Sequence, residues 1–216
     1  MRLRPSYTLF TLHELLEFDA WRRANRLDTV PWFESRYDMF AHVHATLNGE
    51  PIDYLEFGVF QGESIRRWIG LNAREESRFT GFDTFEGLPE TWTLASRSVE
   101  RGYFSTGGAS PDLADTRVRF IKGMFQDTLE PFLAQWEPKS RLLVHLDADL
   151  YSATLYVLCT LHRFLKPGSI VLFDEFTSVT HEFRAFMDYT AAFPRRMRPI
   201  AAAGQVYRQV CFEVIG

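Results

Sequence analysis

Two short acidic runs, Asp147-Ala148-Asp149 and Asp174-Glu175, each follow an apolar stretch, Leu142 to Leu146 and Ile170 to Phe173. Apolar runs of that length read as buried strands, so both acidic runs stand at strand ends. If the strands are neighbours, four carboxylates aim at one place, which is costly unless a positive group stands among them. Oxygen donors without a Cys or His cluster favour a hard divalent cation such as magnesium, with water completing the octahedron. The alternative is a solvated set of carboxylates, with Asp149 capping a helix that starts at Tyr151.

Two more acidic residues end earlier strand-like runs. Residues 52–57 lead into Gly58-Val59-Phe60-Gln61-Gly62-Glu63-Ser64, where Gly58 and Gly62 let the backbone turn tightly near a ligand and the next helix offers free amides. Glu56 stands where a dinucleotide fingerprint has its first glycine; a carboxylate there repels a pyrophosphate and suits a cationic amino group. Residues 78–83 end in Asp83, which is suited either to the two hydroxyls of a ribose or to a solvated loop.

The elements that must position these residues are legible in the pattern. A helix is expected over residues 11–25, opened by a capping box of Thr11 and Glu14 with Leu12, Leu15 and Leu16 on one face. A second begins at Ser35, carries Phe40, Val43, His44 and Leu47 at helical spacing, and stops at Gly49-Glu50-Pro51. Strands follow at 52–57, 78–83, 118–121, 141–146 and 169–173. Between them lie helical stretches at 64–74, around Leu129 to Trp136, and at 151–166; another covers 180–193 before a last strand at 209–215. Such alternation implies parallel strands joined by crossover helices. The reading is one α/β domain, 1–216: a Rossmann-like, doubly wound, mostly parallel sheet with a helical N-terminal extension over 1–50. Residues 84–116, rich in Gly and Pro and without a period, read as a lid loop over the substrate.

Composition narrows the partners. The 216 residues are 46% apolar and 24% charged, which places the chain among folded domains. Twenty-four basic against 28 acidic residues, net charge -4, do not neutralise many phosphates, so nucleic acid is not expected as a partner. The two cysteines, Cys159 and Cys211, build neither a disulfide framework nor a four-ligand zinc site. No apolar run reaches the roughly 18 residues of a membrane span, and the first residues lack a signal-peptide core. A cytoplasmic protein with no membrane partner is expected; a homo-oligomer is compatible.

Together the motifs resemble class I S-adenosylmethionine-dependent methyltransferases, specifically the macrocin O-methyltransferase family of metal-dependent sugar O-methyltransferases. The matching segments are residues 54–62, 82–89, 122–129, 146–151 and 166–175, in the family's order. The resemblance implies that Glu56, Gly58 and Gly62 line the methionine end of the cofactor and that Asp83 holds its ribose. Phe60, Ser64 and Thr84 fall in the same motifs, and the turn with Gly123, Phe125 and Gln126 would flank the adenine. Asp147, Asp174 and Glu175 would bind Mg2+, with Asp147 also at the cofactor and the reaction centre. The sequence departs from the family pattern at Glu175, more often Asp, and has no histidine in 84–116. Asp149 and His181 are then the candidates to assist deprotonation. Phe60 and Tyr151 are the aromatic candidates for the sulfonium, and His145 reads as a core histidine. The acceptor implied is a hydroxylated small molecule, a sugar or glycosylated natural product. A nucleotide-sugar glycosyltransferase using Asp147-Ala148-Asp149 and a non-catalytic methyltransferase-fold binding domain are the competing readings.

Overall fold

In a computed structural model that describes residues 5–94 and 97–216, the alternating pattern folds as follows. In chain order the elements are α1 (Pro5–Ala24), β1 (Trp32–Phe33), α2 (Arg36–Thr46), β2 (Ile52–Phe57), α3 (Glu63–Leu71) and β3 (Arg78–Asp83). Then come β4 (Trp92–Thr93), β5 (Ser98–Val99), β6 (Val118–Lys122), α4 (Phe125–Leu133), β7 (Arg141–Leu146) and α5 (Tyr151–Leu161). The chain closes with β8 (Ile170–Phe173), α6 (Glu182–Ala192), β9 (Met197–Ala203) and β10 (Gln209–Val214). The main sheet has the order β1-β9-β10-β8-β7-β2-β3-β6; β10 runs antiparallel to β8 and β9, and the other pairs are parallel.

Period-two alternation sends β2 into two cores. Leu55 and Phe57 join the aromatic layer under α4, α5 and α6, while Ile52 and Tyr54 join the layer under α2 and α3. The chain winds outward from β2 in one direction and from β7 in the other, so the crevice beyond the carboxyl ends of this pair is the switch point where ligands bind in such sheets. Gly58 closes it: its φ is +93°, and a Cβ there would lie 1.9 Å from the Asp147 carbonyl oxygen.

Several elements differ from the pattern-based expectation. Helix α1 runs from Pro5, so Thr11 and Glu14 lie inside it and form no capping box. The helix buries Thr11, Glu14 and Phe18 and exposes Leu12, Leu15 and Leu16. Its rotation follows Phe18 and Trp21, which meet Phe176 and Phe183 edge to face, and the buried Glu14 carboxylate, which accepts from Arg184 at 2.8 Å. Helix α2 starts as read, with Ser35 Oγ accepting from the Tyr37 N–H at 3.1 Å. Strand β9 lies outside the pattern-based expectation because Met197-Arg198-Pro199-Ile200-Ala201-Ala202-Ala203 has one β-branched residue, three alanines and a proline. Pro199 sits where the register with β10 slips, the bulge position at which a strand tolerates it. The stretch read as a lid loop carries structure on both sides of residues 95 and 96: β4 and β5 pair, and Leu88 and Trp92 pack on Leu150.

Candidate active site

A cavity of about 460 Å³ opens beyond the ends of β2, β3, β7 and β8, roofed by Leu88, Trp92 and Phe104 of the lid segment. Gly58, Phe60, Asp83, Thr84, Phe125 and Gln126 line it together with Met124, and Asp147 lines it toward β8. Asp83 is oriented by three backbone donors: Oδ2 accepts from Val59 N and Phe60 N, both at 2.8 Å, and Oδ1 from Phe85 N at 2.7 Å. Phe60, at φ +51°, presents its ring at the cavity, edge to face with Phe104. Gly123 donates to the Asp83 carbonyl and turns the chain at φ +143°, so that Met124, Phe125 and Gln126 face the cavity while it does not.

Three more expected cofactor residues lie off the wall. Gly62 is the N-cap of α3 and meets Pro111 of the lid; Ser64 is buried in α3. Glu56 lies buried beneath the floor, where its Oε2 accepts from the Tyr54 hydroxyl at 2.7 Å. Burial, above all, pushes its carboxyl up to about 8, against the opposing pull of Tyr54 and Arg36. Tyr151 is not a pocket aromatic either: its hydroxyl donates to Asp188 on α6.

At the other end the carboxylates converge as expected, but not with the expected partners. Asp147, Asp174 and His145 bring one donor atom each within 4.8 Å of the others. His145, read as a plain core histidine, bonds Tyr54 through Nδ1 (2.8 Å), and its Nε2 is 3.7 Å from Asp174 with no hydrogen-bond partner. Glu175 is turned away from this group, its carboxylate gripped by Arg208 through Nε and Nη2. Arg36 stands between the other two, Nη1 at 2.9 Å from Asp174 and 3.7 Å from Asp147. Burial would raise Asp174, but His145 and Arg36 outweigh it and hold the carboxyl at about 2, while burial and the charges of Asp174 and Asp149 push Asp147 well above the usual range. Asp149 is buried at φ +59° and does not cap α5, whose N-cap is Leu150. Burial, then Glu175 and Asp174, push its carboxyl up to about 8.

His181 is occupied elsewhere. Its Nδ1 accepts from the Tyr151 N–H at 3.2 Å and its Nε2 lies 2.8 Å from the Thr93 carbonyl, so both ring nitrogens tie α5 and β4 together and neither is free to act as a base. Arg36, Arg208, Tyr54 and Glu182, whose buried carboxylate accepts from Glu175 N at 2.9 Å, carried no signal as site residues. Only Tyr54 could have been found, being two residues before Glu56 on the same strand face.

A family model described as a methyltransferase domain matches residues 55–176, more than half of the chain. The chain belongs to that family. With it comes the class of chemistry, S-adenosylmethionine-dependent O-methyl transfer, and the curated relatives are named as O-methyltransferases. The 8-demethyl-8-(2,3-dimethoxy-alpha-L-rhamnosyl)-tetracenomycin-C 4'-O-methyltransferase of Streptomyces olivaceus is 28% identical over 196 residues, 70% of this chain and 71% of that protein. The mycinamicin III 3''-O-methyltransferase of Micromonospora griseorubida is 26% identical over 171 residues, 65% of this chain and 63% of that protein, so the chain spans less than two thirds of the latter's length. Among solved structures, the O-methyltransferase NovP superposes with a TM-score of 0.62 at 20% identity, covering 84% of this chain and 80% of NovP. The calicheamicin methyltransferase CalS11 does so at 0.60 and 21%, covering 99% and 94%. Both establish the methyltransferase fold. Among the described residues no helix is long and apolar enough to cross a membrane.

Proposed function

We propose that the cavity binds S-adenosylmethionine with its ribose at Asp83 and its adenine against Met124, Phe125 and Gln126, and methylates a hydroxyl of a sugar or glycosylated natural product held under the lid. The observation that carries this reading is one cavity with two unlike ends: a carboxylate pre-oriented by three amides on β3, and a cluster of carboxylates at the ends of β7 and β8. The names of the relatives above support the acceptor class, and the family match disfavours the glycosyltransferase reading because it includes the Glu56 and Asp83 motifs.

The methyl group on a sulfonium is already activated, so the protein's work is placement and proton removal. The acceptor oxygen attacks the methyl carbon, the carbon–sulfur bond breaks, S-adenosylhomocysteine departs, and the hydroxyl proton goes to Asp149. The donor chemistry also fits a divalent cation, because Asp147 and Asp174 are joined by a buried His145 Nε2 that lacks any other partner. Asp147 and Asp174 would hold it, Glu175 being taken by Arg208; bound, it would lower the pKa of a chelated sugar hydroxyl.

Calorimetric titration of S-adenosylmethionine into the protein and into Asp83→Ala, followed by a S-adenosylhomocysteine release assay with rhamnosylated and other glycosylated acceptors, tests it. Micromolar binding weakened at least about tenfold in the variant, with turnover on a glycosylated acceptor, is expected. Undiminished binding in Asp83→Ala would remove the cofactor placement, and turnover confined to non-sugar hydroxyls would remove the acceptor class.

A further inference from the structure

Arg36 belongs to the N-terminal extension, 111 residues before Asp147, yet its guanidinium reaches the gap where Asp147 and the buried Asp174 converge. That gap has the marks of a cation site: two carboxylates, and a fully buried imidazole nitrogen aimed into it without a hydrogen-bond partner. A guanidinium brings one positive charge to two carboxylates, whereas a divalent ion brings two and can also take up the bare nitrogen, which the nearby Arg36 leaves unbonded.

The arginine has few partners. It occupies the first position of α2, after the Ser35 cap, and besides Asp174 and Asp147 its guanidinium meets only Tyr37, whose hydroxyl lies 3.3 Å from Nη2, among the described residues. Its side chain is about one quarter exposed, 26%. Beside it lies a second hollow, also about 460 Å³, whose wall includes Glu34, Gln205, Gln209 and Arg208 as well as Arg36 and Asp174. That hollow offers the guanidinium a second carboxylate, Glu34, two residues upstream. Arg208, gripped through two nitrogens by Glu175, has no such freedom.

We propose that Arg36 and a divalent cation are alternative occupants of the gap between Asp147 and Asp174: the arginine is the resident counter-ion, and the metal binds by displacing it toward Glu34. The inference rests on the metal reading above and goes beyond it by assigning a competing residue. Wild-type metal affinity is thereby set low by the chain itself, and filling the site shifts the start of α2.

The test needs neither cofactor nor acceptor. Mn2+ is titrated into the purified protein, Arg36→Gln and Arg36→Lys, with free Mn2+ read by electron paramagnetic resonance. Arg36→Gln is expected to bind Mn2+ at least tenfold more tightly than the wild type, and Arg36→Lys within about threefold of it. In the wild type alone, saturating Mn2+ is expected to raise amide exchange over residues 34–38, a readout that survives even if a variant fails to fold. Equal affinity in wild type and Arg36→Gln, or exchange at 34–38 unchanged by bound Mn2+, overturns the competition and leaves the metal site standing. Binding by neither protein overturns the metal reading and the competition together, and leaves the cofactor titration with Asp83→Ala untouched.

Discussion

Asp149 stands three residues beyond β7 in the left-handed region and, among the described residues, its carboxylate accepts no hydrogen bond, unlike that of Asp83. A buried carboxyl pushed up to about 8 and facing the cavity has the basicity that proton removal near neutral pH asks for. kcat/KM is therefore expected to rise with pH toward a plateau, with an apparent pKa near 8. Asp149→Asn should lower kcat roughly 10²- to 10⁴-fold while leaving the dissociation constant for S-adenosylmethionine within about twofold. A pH profile that keeps its acid limb in Asp149→Asn would assign the base elsewhere. Nothing local separates Asp149 from His181, since both stand beside a strand or helix end. What separates them is tertiary: His181 spends both nitrogens on Tyr151 and Thr93, groups 30 and 88 residues away. Strand-end carboxylates were legible because a parallel sheet aims them all at one edge; the cations among them, Arg36 and Arg208, were not, because nothing local marks where a distant arginine will reach.

Elements repeat the lesson. Strands β2, β3 and β7 begin and end where the apolar runs do, since buried parallel strands are written as continuous apolar sequence. The two-sided burial of β9 is written in alanines, which carry no strand signal, and the rotation of α1 is decided by aromatic rings and one ion pair rather than by its leucines. That pair carries a prediction. Glu14 is buried, and the guanidinium of Arg184, itself 38% exposed, is the partner of its carboxylate. Arg184→Ala is expected to cost about 1–3 kcal/mol, discounted for that exposure, because it strands a carboxylate beneath α1; Glu14→Gln in the same background should recover most of it. Hydrogen exchange should show lost protection over residues 8–24 with β2 and β7 unaffected, and equal protection in both proteins would mean that Phe18 and Trp21 alone dock the helix. The lid offers a parallel case. Trp92 packs against Leu88 and Leu150, so Trp92→Ala should raise KM for the acceptor several-fold and leave cofactor binding near wild type, which separate titrations of the two ligands would check.

For the whole molecule, the site is a burden on the fold that carries it. Glu56 and Asp149 are pushed up to about 8, and Asp147, Glu175 and Glu182 are also raised, all chiefly by burial; Asp174, held low by His145 and Arg36, is the exception. A carboxyl whose folded pKa lies above its unfolded value binds its proton more tightly when folded. Its stabilising contribution is complete below the unfolded pKa near 4.5 and is lost as pH rises through about 8. Asp174 contributes in the opposite sense, but its window lies between about 2 and its ordinary value of 3.8, below the range that matters here. The ligand-free protein is therefore expected to be most stable near pH 5 and to lose melting temperature steadily toward pH 8.5. Glu56→Gln, which carries no charge to bury, should flatten that slope and melt at least about 3 °C above the wild type at pH 8. The same substitution should weaken S-adenosylmethionine, whose ammonium and sulfonium are the cations that this arrangement of carboxylates suits. Melting curves from pH 5 to 8.5, with and without the cofactor, distinguish the outcomes. A wild-type melting temperature that climbs with pH would show the buried carboxyls to be ionised and paired in the free protein. A falling one that S-adenosylmethionine levels would show that the folded chain holds, at its own expense, a field suited to the cofactor.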